Sequence, residues 1–182
     1  MSFDTDVAVI AISLQTDFLC SLYVFTGTGN RTRIIDITKV SSALGTSVCC
    51  WALIGIHTFS GCDSTRAFYG KGKRKTFSVA CEKDEYLKAF NLEQSTFALL
   101  CQYVGHLYDQ PAAENVSEAR YKAFCMASSA LPEWSIPPTS DALHQHCKRA
   151  NYQAAIMRSC LKRNISAPSP AGYGRLIDGT YT

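Results

Sequence analysis

Three short segments of this 182-residue chain carry residues able to do chemistry. The first is Asp4-Thr5-Asp6, close to the start. The second is Gly61-Cys62-Asp63, and the third, Gly70-Lys71-Gly72-Lys73, begins seven residues after Asp63. Two glycines so close together let backbone amides approach a phosphate, and a helix starting just beyond them adds the positive end of its dipole. Residues 66 to 75 read Arg-Ala-Phe-Tyr-Gly-Lys-Gly-Lys-Arg-Lys, with five positive charges (Arg66, Lys71, Lys73, Arg74 and Lys75) and no acid. Removing those five from the eighteen basic residues leaves thirteen against fifteen acidic ones, so this one segment makes the protein basic. Such a patch attracts polyanions, and contacts of this kind fix position without reading sequence. The bland alternative is a solvated loop. The acids also have a purely structural reading, in which Asp4 and Asp6 cap a strand and Asp63 caps a helix beginning at Ser64.

The elements that must hold these segments follow from pattern. Residues 6–14 form a near-continuous apolar run rich in β-branched residues, which predicts a buried strand of a parallel sheet. Residues 21–26 and 33–37, on either side of Gly27-Thr28-Gly29-Asn30, predict a hairpin. A short helix over 38–44 stops at Gly45, and Thr46 or Ser47 caps a longer one that runs into Gly61. Beyond it the pattern is helical, over about 74–81, 84–90, 93–107, 117–128 and 139–161. Pro132, Pro137 and Pro138 mark the connector before the last helix. The tail from Ala167 is expected to be extended or loosely ordered.

In this order and spacing the segments resemble the C-terminal half of a flap-endonuclease-like (PIN-like) nuclease core, over roughly residues 4 to 90. The likeness rests on the Asp4/Asp6 pair, Val40-Ser41-Ser42-Ala43-Leu44-Gly45, the Gly61-Cys62-Asp63 motif and the Gly70-Lys71-Gly72 hairpin. Residues 55–63 and 137–176 are also similar to transposon-associated animal proteins. The resemblance implies an α/β fold, a partial PIN-like parallel sheet with a hairpin over 1–90, then a mostly helical extension over 91–165 and a tail over 166–182. It implies that Asp4, Asp6 and Asp63 are catalytic metal ligands for Mg²⁺ or Mn²⁺. Two such ions, about 4 Å apart, would serve phosphodiester hydrolysis. It further implies that Arg66, Gly70, Lys71, Gly72, Lys73, Arg74 and Lys75 hold branched or duplex DNA, with a monovalent cation at the hairpin. The family core opens with a strand and acids that would precede Asp4. The expectation is therefore a truncated module, weak or inactive alone, or one completed by a second polypeptide. A non-catalytic nucleic-acid-binding remnant and a helical interaction domain are the rival readings. Lys71 and Lys73 stand where the family often has apolar or small residues, which puts the packing of the hairpin in question.

The totals narrow the setting. Nearly half the residues are hydrophobic, so the composition is globular. No apolar run reaches the roughly 18 residues of a membrane span, and the N-terminus has no basic region before an apolar stretch. Nine cysteines, an odd number in apolar surroundings without a C-x-x-C pair, fit buried thiols in a reducing compartment. The protein is expected to be intracellular, and the DNA reading makes it nuclear. The sequons at Asn30, Asn115 and Asn164 then carry no weight. His144, His146 and Cys147 sit at poor spacing for zinc on a helix. Adjacent Cys49 and Cys50 point to different faces, and so favour core packing over redox chemistry. His57 either borders the Asp63 segment or is a buried, hydrogen-bonded imidazole. Arg149 and Asn151, near Tyr152, are candidates for partner contacts without a specific signal.

Overall fold

The computed structural model describes residues 5–27, 29–45, 48–90, 97–127 and 132–164, with 169 and 173. Asp4, the Thr46/Ser47 cap and nearly all of the tail from Ala167 lie outside them. The described chain is mostly helical with one small antiparallel hairpin. In order it forms α1 (Thr5–Ser13), β1 (Tyr23–Thr26), β2 (Arg33–Asp36), α2 (Ile37–Leu44) and α3 (Val48–Phe59). Then come α4 (Lys73–Ala80), α5 (Asp84–Phe90), α6 (Phe97–Leu107), α7 (Val116–Cys125) and α8 (Ser140–Arg158).

The expected strand over 6–14 is helix α1 instead. A short apolar run satisfies either period. The described residues hold no parallel strand to pair with it, and an unpaired buried strand would orphan its amides and carbonyls. A helix satisfies those groups internally and still buries Ala8 and Val9, the latter against Ile54, Ala154 and Met157. The hairpin forms as expected, with Tyr23 opposite Asp36 and Thr26 opposite Arg33. Asp36 ends β2 and caps α2 by accepting from the Lys39 amide at 3.0 Å, and Gly45, at φ 76°, stops that helix.

Helix α3 is the axis of the molecule. Apolar on nearly every side, it packs against α1, α2, α4, α5 and α8, as a helix without a polar face must. Gly55 permits its approach to α5, because a Cβ there would lie 2.3 Å from the Phe90 carbonyl oxygen. Arg158, at the end of α8, donates to the carbonyls of Trp51 and Phe90, both at 3.1 Å, and so ties three helices together. One core joins Phe59, Phe68, Tyr86, Phe90, Tyr103, Leu107 and Leu143, and thus both halves of the chain.

His146 of α8 enters this core and donates from Nε2 to the Phe59 carbonyl at 2.7 Å. Burial lowers its pKa, and the hydrogen bond to Phe59 partly opposes that. A histidine kept neutral in the fold is protonated more readily in the unfolded chain. Its stabilisation is therefore complete above the ordinary pKa of 6.5 and disappears as pH falls through the lowered folded value. Melting curves between about pH 7.5 and pH 5 should show the midpoint falling with acid. His146→Gln, which keeps an N–H for Phe59, should flatten part of that fall. Parallel slopes for the two proteins would exclude His146 as the cause.

Candidate nucleic-acid interface

The candidate site is the segment that leaves α3 and returns as α4. It begins where Gly61 adopts φ 108°, pressed so closely on Ala67 that a Cβ would lie 2.7 Å from the Ala67 Cα. Cys62 and Thr65 then pair by two backbone hydrogen bonds of 3.1 Å. Thr65 is buried, and its hydroxyl donates to the Thr58 carbonyl at 2.6 Å, which fixes the turn to the end of α3. No helix starts at Ser64, so Asp63 caps nothing there; it lies exposed in this turn. Phe68 anchors the middle of the segment in the core, 5.3 Å from the Phe59 ring. A turn from Phe68 to Lys71 follows, with Gly70 at φ 67°, and Gly72 leads into α4 without a side-chain cap. Gly70 and Gly72 both face open space: among the described residues beyond their chain neighbours, no atom lies within 4 Å of where a Cβ would stand. The glycine turn is therefore accessible, and the first amides of α4 are the donors nearest to it.

The charges are arranged less freely than the sequence implies. The Lys73 ammonium turns back to donate to the carbonyls of His57, at 2.5 Å, and Gly61. It thereby caps the C-terminal end of α3. Burial lowers its pKa, and Cys62 and Asp6 act in the opposite direction. Lys75 donates to both carboxylate oxygens of Asp109, at 2.9 and 3.0 Å. Lys71 lies 3.6 Å from the same carboxylate and 4.7 Å above the ring of Tyr108. Burial lowers the pKa of Lys71, and burial also pushes the Tyr108 hydroxyl up to about 12. Arg66 and Arg74 are exposed. An open hollow of about 590 Å³ lies beside α4, walled by Gly72, Arg74, Lys75, Ser78, His106 and Asp109.

Of the acids, Asp6 on α1 reaches the His57 imidazole at 2.6 Å. His57 is accordingly buried and hydrogen-bonded, at the end of α3 that carries the hairpin. Among the described residues no group of three or more His, Cys, Asp or Glu side chains could hold a metal ion. The described donors thus do not fit a two-metal pair. His144 packs on the Phe97 ring, and Cys147 is buried. Cys50 lies buried 3.5 Å from the Ser41 hydroxyl.

Sequence reasoning missed Asp109, the partner of two of the lysines. Its local signal was a Tyr-Asp-Gln-Pro run at the end of a helical pattern, the place where a left-handed residue ends a helix. Asp109 has φ 63°, and Gln110 donates back to the Gly105 carbonyl at 2.8 Å. The Asp6–His57 contact was equally hidden, because it joins residues far apart in the chain. Comparison with protein-family models, curated proteins and solved structures returns no match.

Proposed function

We propose that this chain is a flap-endonuclease-like module that grips the backbone of duplex or branched DNA through its 61–75 hairpin. One observation carries the reading: an open glycine turn, followed by an uncapped helix start, is held between α3 and α4 by the Thr65 hydrogen bond and the Phe68 ring. Backbone amides there can meet a phosphate at close range, and Arg66 and Arg74 add exposed charge. In the same reading Asp4, Asp6 and Asp63 are what this chain keeps of a nuclease-like centre, weak or silent here because the described residues assemble too few ligands for a metal pair. Any hydrolytic chemistry there would come from bound Mg²⁺ or Mn²⁺. Lys73 occupies carbonyls at the hairpin that a monovalent cation could otherwise take. A PIN-like sheet would need more strands, and β1–β2 exposes Phe25 and Ile34, which sit opposite each other, on a face such a sheet could use. An intracellular, nuclear setting and a second polypeptide completing the sheet belong to the same reading.

Equilibrium binding to duplex and flap DNA at several salt concentrations tests it. Affinity should fall steeply with salt. Arg66→Gln with Arg74→Gln should weaken binding roughly tenfold near 100 mM salt and make the slope about one to two units shallower. Unchanged affinity in the double variant would remove the hairpin from the interface. Metal-dependent cleavage of flap DNA that disappears in Asp63→Asn would mark a working centre. Binding without cleavage leaves the non-catalytic remnant.

A second reading, a protein-interaction domain, is favoured by a different surface. Tyr121, Phe124, Met126 and Trp134 are all largely exposed, and a groove of about 380 Å³ runs past Tyr121, Phe124 and Ile136. Arg120 braces it by donating to the Pro137 carbonyl at 2.6 Å and to Glu133 at 2.9 Å. Exposed aromatic groups of this size are enriched where proteins meet.

A further inference from the structure

Two of the hairpin's lysines, Lys71 and Lys75, are already paired with an acid of the same chain. Asp109 comes from the end of α6 and places its carboxylate against Lys75 at 2.9 Å and Lys71 at 3.6 Å. These lysines flank the open glycine turn and the start of α4. Asp109 also occupies a conformation that L-residues rarely adopt, φ 63°. At this helix-terminating position a glycine would sit without strain, and the carboxylate would be gone. The carboxylate is therefore more than the backbone requires at this position. The Lys75 hydrogen bond holds its carboxyl below the usual range, so the group is charged at neutral pH.

We propose that Asp109 is a built-in competitor of the nucleic-acid backbone: its carboxylate holds Lys71 and Lys75 until a phosphate displaces it. The inference rests on the DNA-binding reading above and concerns how that site is regulated. The contact is suited to exchange. Asp109's side chain is 73% exposed, and ion pairs in such a position are weak and screened by salt. A phosphate at the same lysines presents two unesterified oxygens, and it brings neighbouring phosphates with it. The hollow walled by Gly72, Arg74, Ser78 and His106 lies directly beside the contact and leaves room for the exchange. With Asp109 in place the two lysines present less net positive charge, so fewer phosphates are neutralised and fewer cations leave the DNA on binding. The acid thus lowers both the affinity and its salt dependence, and it does so most against short or sparsely charged ligands. An isolated anion displaces it poorly; a continuous backbone displaces it well.

The test is Asp109→Asn and Asp109→Gly, compared with the parent chain for binding to a labelled DNA duplex over a range of salt. Asparagine keeps the shape and tolerates the left-handed backbone, and glycine relieves it, so both variants are expected to fold. Each should bind DNA roughly three- to tenfold more tightly at about 50 mM salt, with a slope about one unit steeper. Lys71→Gln with Lys75→Gln in the Asp109→Asn background should remove the gain. If the parent binds but neither Asp109 variant binds more tightly, Asp109 is not a competitor, and the DNA-binding reading stands. If neither parent nor variants bind DNA, both the competitor and the DNA-binding reading fall.

Discussion

Phe59→Ala should cost about 3–5 kcal/mol of folding stability, a large part of what a domain of this size has to lose. Phe59 is the last residue of α3 and only 3% exposed. Its ring lies 5.3 Å from Phe68, 5.3 Å from Phe90, 5.8 Å from Tyr103 and 5.0 Å from His146. Those partners come from the hairpin segment, α5, α6 and α8, so truncation leaves a void that no single element can collapse into. The tilted and edge-on arrangements of the rings add to the cost beyond area alone. Urea unfolding should show the midpoint falling with the slope nearly constant. Phe59→Leu, which keeps most of the volume, should cost well under half as much. A loss below about 1 kcal/mol for the alanine variant would mean that Phe59 is not the centre of the core. The consequence reaches the candidate site, because the same ring supports Phe68, the anchor of the segment that bears the glycine turn.

What the sequence made legible was local. The β1–β2 hairpin was readable from two β-rich runs around a Gly-Thr-Gly-Asn turn, and α2 from its stop at Gly45. The span 84–90 matches α5, and 139–161 contains α8, whose cap is Thr139. Each of these signals lies within a few residues of what it specifies. The segment 6–14 failed because its apolar content carried no decisive period, and the choice fell to what surrounds it in space. The site was legible in its glycines and illegible in its charges. A run of five cations reads as a free basic patch until the fold supplies partners, and those partners lie elsewhere in the chain. Asp109 reaches Lys75 across 34 positions, and Lys73 reaches the His57 carbonyl across 16. No spacing rule encodes either contact. Three of the five charges therefore serve structure first, and the hairpin's reach toward an anion depends on its amides, on Arg66 and Arg74, and on how readily Asp109 lets go.

Gly61→Ala should be nearly as damaging as loss of Phe59, by a different route. At φ 108° an L-residue is strained by about 1–3 kcal/mol wherever it stands. Here the added methyl also meets the Ala67 backbone, with its Cα at 2.7 Å and its nitrogen at 2.8 Å. Backbone cannot rotate away as a side chain can, so the turn must open. Gly45 separates the two terms. It too has positive φ, 76°, but among the described residues beyond its chain neighbours nothing lies within 4 Å of its missing Cβ. Gly45→Ala should cost only the conformational part, about 1–2 kcal/mol, and Gly61→Ala about 2 kcal/mol more than that. Chemical denaturation of both variants measures the difference directly. Equal losses would show that the Gly61–Ala67 contact gives way easily and that the turn is softer than its packing implies. The Gly61 carbonyl also accepts from Lys73, so opening the turn releases that lysine from the end of α3. Gly61→Ala should then weaken DNA binding even under conditions where the variant is fully folded, because the glycine turn and the start of α4 lose their common anchor. Gly45→Ala, remote from the hairpin in the chain, should leave binding unchanged.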